Sequence, residues 1–530
     1  MNILIAEPMA AAGIELLRSQ PGWNVIVSSP KEYQQHLAEC EALVVRSSVQ
    51  VGREVLAKAP KLRVIGRAGV GVDNVDLEAA TEAGVLVMNT PGGNAVSVAE
   101  HAMALMLAMA RHVVPAAVST KGGKWEKKKF LGSELRGKTL GVVGLGSTGR
   151  EVLKRARAFE MKIVANDPYV TSQTARDLHV DLVDLKTLYG QSDYITLHLS
   201  LTPETDGLLS HDAFAQMKNG VRIVNCARGE LVDAEALQEA IAAGKVAGAA
   251  LDVFRTEPPP ADYPLFALPP VVATPHLGGS TEEAQEIVGV RIAEQLREYL
   301  MSGVAINAVN MPALSPEAYR GLTPYISLAQ RLGDFVAYVA AGQPKTLRIV
   351  YSGKIGENNT GLLRNAALAG VLNRSLSQRA NLVNAMQIAT QRGWSVAEEH
   401  EGRTGHTDSI RLELETDSGV TLVEGVVVLG KPRLIQVDGI YLDAHLSGYL
   451  TYMMNHDVPG VIGHVGTVLG ENRVNIANFA LGRRDSPLSP GGPLDAIALV
   501  ETDQPVPEAV LAQLRSNPAV RIARTVLFSA

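Results

Sequence analysis

Three polar residues of the kinds used in acid–base chemistry stand at the ends of successive strand-like runs: Arg228 in NCARGE, Glu257 in DVFRTEPPP and His276 in ATPHLGGS. In an open α/β sheet the carboxyl ends of the strands face the ligand crevice, so the three are placed to converge there. A histidine titrating near neutrality suits removal of a hydroxyl proton as a secondary alcohol loses hydride. A carboxylate beside it would raise the imidazole pKa and fix the ring, and a guanidinium would grip a substrate carboxylate through two hydrogen bonds. Taken singly, His276 is one of 12 histidines and reads more readily as a packed or surface side chain, and Arg228 with Glu257 reads as an ordinary ion pair.

Upstream, the run GLGSTG holds Gly144, Gly146, Ser147, Thr148 and Gly149, directly after strand-like LGVV and opening the helical run REVLKRARAF. In that setting the glycines permit a tight turn and close approach of a pyrophosphate, while the helix N-terminus offers free N–H groups and a positive dipole. Past Gly149, Asp167 ends the next strand-like run, KIVAND. It is placed to accept hydrogen bonds from ribose hydroxyls and to repel a 2′-phosphate, which points to NAD rather than NADP.

Such residues need parallel sheets to hold them, and the hydropathy pattern supplies two. From Met1 to about Asn89 the runs ILIA, WNVIV, ALVV, LRVIG and VLVMN alternate with helical or loop intervals, and from Lys138 a second series runs from TLGVV to VVATPH. The fold class predicted is α/β, two doubly wound parallel-sheet domains followed by two α+β domains. Ser97 to Val114 reads as one long apolar helix, buried in the core or against a second subunit. The proline-rich stretch from Glu257 to Pro270 must be an extended loop. Ser280 to Met301 reads as an amphipathic helix, with Ser280 and Glu283 as its capping box. Beyond the linker MPALSPEAY, helices are expected at Thr323 to Ala341, Gly361 to Leu372 and Arg379 to Arg392, with strands LRIVYSG, SIRLELET and GVVVLG. From Gly448 the pattern is strand, Pro-Gly turn, helix, strand, strand, helix, strand.

Composition narrows the function classes. With 530 residues, 46% of them apolar and 20% charged, the chain is long and apolar enough for three or four packed domains. Its 49 basic and 55 acidic side chains leave a formal charge of −6, so no whole-chain cationic field would hold nucleic acid or an anionic membrane. Cys40 and Cys226 are the only cysteines, too few for a disulfide framework or a thiolate metal site. No secretory signal is visible and the longest apolar run, Ala102 to Ala110, is half of a bilayer span, so a cytoplasmic protein without a metal is expected.

Together GVVGLGSTG, NCARG, LDVF with Glu257 following Asp252, and PHLGGST resemble the D-isomer-specific 2-hydroxyacid dehydrogenase family. RAGVGVDNVD, NTPGGN and WEKKKFLGSELRGKTLG narrow the resemblance to its long form, and HDVPGVIG with NRVNIANF resembles an ACT domain. The resemblance implies a Rossmann domain (residues 96–284) inserted in a flavodoxin-like substrate domain (1–95 and 285–311), an intervening domain (312–447) and a ferredoxin-like ACT domain (448–530). It implies His276 as general acid/base, Glu257 as its partner and Arg228 as substrate anchor. Asn94, Gly69 and Val70 would line the substrate carboxylate site, and Asp167, Cys226, Asp252, Gly278 and Gly279 would border NAD. Where some relatives carry threonine this chain has Val70, leaving backbone N–H groups for that contact.

The activity so implied is NAD-dependent oxidation of 3-phospho-D-glycerate to 3-phosphohydroxypyruvate, the first step of L-serine biosynthesis. Reduction of glyoxylate, hydroxypyruvate or another small 2-oxo acid is the alternative within the family, and a ligand-sensing corepressor the alternative outside it. A phosphorylated substrate needs cations, and Arg46 and Arg67 follow strand-like runs toward the crevice, with Lys124, Lys127, Lys128 and Lys129 as a second set. Asn455, Asp457 and Asn475 stand where related ACT domains bind serine, although Asn455 replaces the histidine or tyrosine often found there and Asn475 reads equally as a turn residue. The apolar helix suggests dimerisation, and the two added domains would pair dimers into a homotetramer.

Overall fold

The computed structural model describes residues 1–357, 359–374, 379–402, 408–486 and 493–528. The first sheet carries β1 (Asn2–Ile5), β2 (Asn24–Val27), β3 (Ala42–Val45), β4 (Val64–Arg67) and β5 (Leu86–Met88). Its order is β2, β1, β3, β4, β5, all parallel, the doubly wound order of flavodoxin. The second sheet carries β6 (Thr139–Val143), β7 (Lys162–Asn166), β8 (Asp181–Leu182), β9 (Tyr194–Leu197), β10 (Val221–Asn225), β11 (Val246–Leu251) and β12 (Val271–Ala273). Its order, β12, β11, β10, β9, β6, β7, β8, reverses direction between β6 and β9, as in a Rossmann sheet. Continuous apolar runs such as ALVV and YITL form these strands because helices cover both faces, so every residue of β3 and β9 is buried.

Two long helices carry the chain across the cleft between the sheets. Ala95–Ala110 leaves the first sheet and buries Ala99, Ala102 and Met106 against the second. Glu282–Ser302 returns and packs Val288, Ile292 and Leu296 onto the first. The apolar stretch expected as one helix is two: it ends at Ala110, His112 takes a left-handed φ of 49°, and Val113–Lys121 continues at 64° to it. Pro115 explains the break, since in a continuous helix its ring would meet the carbonyl of Arg111. The cap of the return helix is Thr281 rather than Ser280: its hydroxyl accepts from the Ala284 amide at 3.1 Å. Among the described residues no single helix is long and apolar enough to cross a membrane.

The third sheet is mixed, with β13 (Pro344–Ser352), β14 (Ser395–Glu401), β15 (Ser409–Thr416), β16 (Gly419–Val428), β17 (Lys431–Val437) and β18 (Ile440–His445) in the order β14, β13, β15, β16, β17, β18. Helix Pro316–Val339 lies on it, starting seven residues before the expected Thr323 because Ser315 caps it and Pro316 fits the first turn. Asn381 ties this unit to the first, donating to the Gly84 carbonyl at 2.8 Å. The fourth sheet is antiparallel, with β19 (Tyr449–His456), β20 (Ile476–Arg483), β21 (Asp495–Thr502) and β22 (Val520–Leu527) in the order β20, β21, β19, β22. Two helices cover one of its faces, and the other contributes Tyr452, Ile497 and Leu499 to the core of the third unit. Phe335 and Tyr452 meet edge to face across that boundary at 5.9 Å. Phe335→Ala is therefore expected to cost about 3–5 kcal/mol and to lower the denaturation midpoints of both C-terminal units together, which urea melts read by far- and near-UV dichroism would check.

Candidate active site

The cleft between the first two sheets has a volume of about 550 Å³. Arg67, Val70, Asn89 and Asn94 face it from the first unit, and Gly146, Ser147, Thr148, His198, Cys226, Arg228, Asp252, His276, Gly278 and Gly279 from the second. Loops at the carboxyl ends of the parallel strands supply most of this wall, as the topology requires.

The glycine run turns from β6 into helix Ser147–Ala158, and each glycine has a distinct job. Gly144 has φ 94°, and a Cβ there would lie 2.3 Å from the His198 carbonyl oxygen. A Cβ on Gly149 would lie 2.1 Å from the Gly144 carbonyl oxygen, so helix and strand could not close. At Gly146 a Cβ would meet nothing within 4 Å, so bare backbone and helix N-terminus face the cleft, as a pyrophosphate needs. Asp167 follows β7 beside this turn, accepting from the Leu145 amide at 2.8 Å and the Tyr169 amide at 2.9 Å. These residues fit a dinucleotide.

Asp252 organises the reacting wall. It is 1% exposed, and its Oδ1 accepts from the Thr274 hydroxyl at 2.6 Å and the Leu277 amide at 2.8 Å, while Oδ2 accepts from the Gly278 amide at 2.8 Å. His101 Nε2 lies 3.2 Å from the same carboxylate and 3.1 Å from the Thr274 hydroxyl. Burial alone would raise this carboxyl's pKa, but the hydrogen bonds from His101, Thr274 and the two amides outweigh it and hold the group ionised, below its ordinary range. The grip fixes the turn after β12, in which the His276 amide donates to the Asp252 carbonyl at 2.9 Å and His276 takes φ 54°.

On that turn His276 Nδ1 sits 2.7 Å from Glu257 Oε2, and Glu257 Oε1 accepts from the Phe254 amide at 3.0 Å. An ionised carboxylate only accepts, so Nδ1 carries a proton and neutral His276 keeps its lone pair on Nε2. The Glu257 hydrogen bond raises the imidazole pKa against the opposing effect of burial. For Glu257, burial pushes upward and is outweighed by the bonds from His276 and Phe254, so its pKa falls.

Two guanidiniums face this pair. Arg228 follows β10, where buried Asn225 accepts from the Ala227 amide at 3.0 Å and donates to the Arg228 carbonyl at 2.7 Å. Arg67 ends β4 and is largely desolvated: burial, with the neighbouring Arg228 charge, lowers its pKa to about 10. Its Nε is buried without an acceptor among the described residues. Gly69 makes room for it, since a Cβ there would fall 1.3 Å from Nη1.

Not every expected residue joins the cleft. Arg46 does not: its guanidinium donates to the Pro8 carbonyl at 3.2 Å, outside the lining. Lys124, Lys127, Lys128 and Lys129 are exposed and lie outside it as well. Cys226 borders the cleft as a neutral thiol, its pKa pushed up by burial and the Asp252 charge. In the fourth unit a pocket of about 300 Å³ brings Asn455 and Asp457 together with Arg483, whose Nε donates to Asp457 at 2.7 Å. Asn475 stands apart from it, bonded to Asp503 at 2.7 Å.

Sequence reading passed over His101, Thr274, Asp73, Asn225 and His198. His198 closes the run YITLHL at the carboxyl end of β9, the placement that marked the other three, and burial lowers its pKa to about 4. His101 sits within an apolar helix and gives no such signal.

A Rossmann sheet with this fingerprint, facing a histidine–carboxylate pair and two guanidiniums, defines a nicotinamide-dependent dehydrogenase of hydroxy acids. Residues 103–278 match the family model of the D-isomer specific 2-hydroxyacid dehydrogenase NAD binding domain, residues 321–438 that of the D-3-phosphoglycerate dehydrogenase intervening domain, and residues 450–519 the ACT domain. The chain is 41% identical over 523 residues to D-3-phosphoglycerate dehydrogenase of Methanocaldococcus jannaschii, covering 98% of both chains. It is 42% identical to the enzyme of that name from Archaeoglobus fulgidus, over 96% of this chain and 97% of that one. Among solved structures it resembles NAD-dependent formate dehydrogenase from Staphylococcus aureus in complex with NAD, at 32% identity and TM-score 0.51 over 57% of this chain and 96% of that one. The chain belongs to the D-3-phosphoglycerate dehydrogenase family.

Glu257→Gln removes the charge that favours imidazolium, so the His276 ring should titrate at lower pH in that variant, readable from its ring resonances by NMR.

Proposed function

We propose that the protein oxidises 3-phospho-D-glycerate to 3-phosphohydroxypyruvate with NAD, the first step toward L-serine. The observation that carries this reading is the Glu257–His276 pair at 2.7 Å, whose His276 lines one cleft with Arg228, Arg67 and the Gly146–Thr148 turn of the dinucleotide fingerprint. Names of full-length relatives support it. Gly146 to Gly149, Asp167 and the Gly278–Gly279 backbone would hold NAD, which supplies the hydride acceptor for C2.

Arg228 anchors the substrate carboxylate and the C2 oxygen, together with the Val70 backbone and Asn94. His276 takes the hydroxyl proton on Nε2, and Glu257 stabilises the imidazolium that forms and keeps the ring in register. Because Glu257 raises the imidazole pKa, the base needed for oxidation fills as pH rises through that raised value. Arg67, close to Arg228, meets the substrate's remaining negative charge.

Regulation through the fourth unit is part of the proposal, with serine as effector in the pocket of Asn455, Asp457 and Arg483. Asn455 Oδ1 is buried there without a donor among the described residues, which suits an ammonium group. We also read the protein as a homotetramer. Helix Val113–Lys121 buries none of its residues, and its Val118, with Trp125 and Leu131 beyond it, is exposed, an apolar surface that a second copy would cover. Light scattering should give four times the chain mass of 56.4 kDa.

Turnover is read from NADH absorbance with phosphoglycerate, with and without millimolar serine. His276→Ala should lower kcat by about 10²- to 10⁴-fold with NAD still bound. Arg67→Ala should raise KM for phosphoglycerate about 10- to 100-fold, far more than for an unphosphorylated hydroxy acid, whereas Arg46→Ala should change it little. Turnover confined to unphosphorylated 2-oxo acids would overturn the substrate assignment, and indifference to serine the effector.

A further inference from the structure

We propose that Asp73 is an internal competitor for the substrate carboxylate: its side chain engages Arg228 in the free cleft and gives way when a 2-hydroxy acid binds. The proposal rests on the reading of Arg228 as the carboxylate anchor. Asp73 Oδ2 lies 2.9 Å from Arg228 Nη2, and Nη1 donates to the Ala227 carbonyl at 2.7 Å, so both terminal nitrogens are engaged.

The pair sits where the ligand carboxylate would sit. Asp73 closes the loop Gly69 to Val72, and a Cβ on Gly71 would fall 2.2 Å from Arg228 Nη2 and 2.7 Å from Asp73 Oδ2. The guanidinium and the carboxylate thus lie directly against the loop backbone that faces the cleft.

Exposure decides which partner moves. The Asp73 side chain is 66% exposed and that of Arg228 is 28% exposed. Asp73 can swing into water and leave no charge stranded, whereas Arg228 stays, held by its carbonyl contact and by the ordered turn at Asn225. Arg67 also sees the Asp73 charge, so one mobile carboxylate offsets two fixed cations until an anion replaces it.

A pair this exposed contributes little, and competition from it weakens apparent substrate affinity by the reciprocal of the fraction of Arg228 it leaves free, a factor of about 2 to 5. The product carries the same carboxylate, so the same group aids its displacement.

Calorimetric titration of 3-phosphoglycerate into the protein saturated with NADH, a combination that does not react, tests this. Asp73→Asn should bind phosphoglycerate about 2- to 5-fold more tightly than wild type, with NADH affinity unchanged, and Asp73→Glu should stay near wild type. Equal or weaker binding by Asp73→Asn would overturn the proposal and make Asp73 a support for Arg228. If wild type binds D-lactate but not phosphoglycerate, the substrate reading has failed, and the same comparison made with D-lactate still decides the role of Asp73.

Discussion

A single buried carboxylate holds the reacting wall of this protein together. Asp252 collects two backbone amides, a threonine hydroxyl and a histidine, drawn from a strand end, a turn and a helix that are distant in sequence. An ion so buried is tolerated only because donors surround it, and removing any one of them would expose the rest to an uncompensated charge. The turn it grips places His276 in a left-handed conformation that an L side chain adopts only at some cost, of order 1 kcal/mol. The ring therefore depends on Asp252 for its position and on Glu257 for its tautomer.

Electrostatics across the cleft follow from unequal burial. Arg67 is desolvated with an orphan Nε, Arg228 is partly exposed and Asp73 mostly so. Fixed cations on the protein side and a mobile anion on the water side give a cleft that attracts a multiply charged acid and still releases it. The fingerprint helix adds a third positive element through its N-terminus.

The third and fourth units share one hydrophobic core, although their sequence reads as two domains. One face of the fourth sheet shares a core with helix Pro316–Val339, and Asn381 ties the third unit to the turn at Gly84. Gly84 closes the short helix Leu77–Glu82, which itself follows the loop that carries Asp73. The third unit thus touches the first next to the helix that follows the Asp73 loop.

Sequence alone determined the two parallel series of strands, the fingerprint turn and the three strand-end residues, because each rests on local rules: apolar runs, glycine where a Cβ would collide, and polar residues at carboxyl ends. It missed β14, whose sequence SVAEEHE is charged because it lies at a sheet edge, and it merged two helices whose break Pro115 decides. Tertiary structure alone decided which cations face the cleft. Arg46 and Arg67 have the same local signature, yet only Arg67 is driven inward past Gly69, while Arg46 finds the Pro8 carbonyl first. His101 and Asp73 likewise acquire their places only from partners more than a hundred residues away, and no local pattern carries that information.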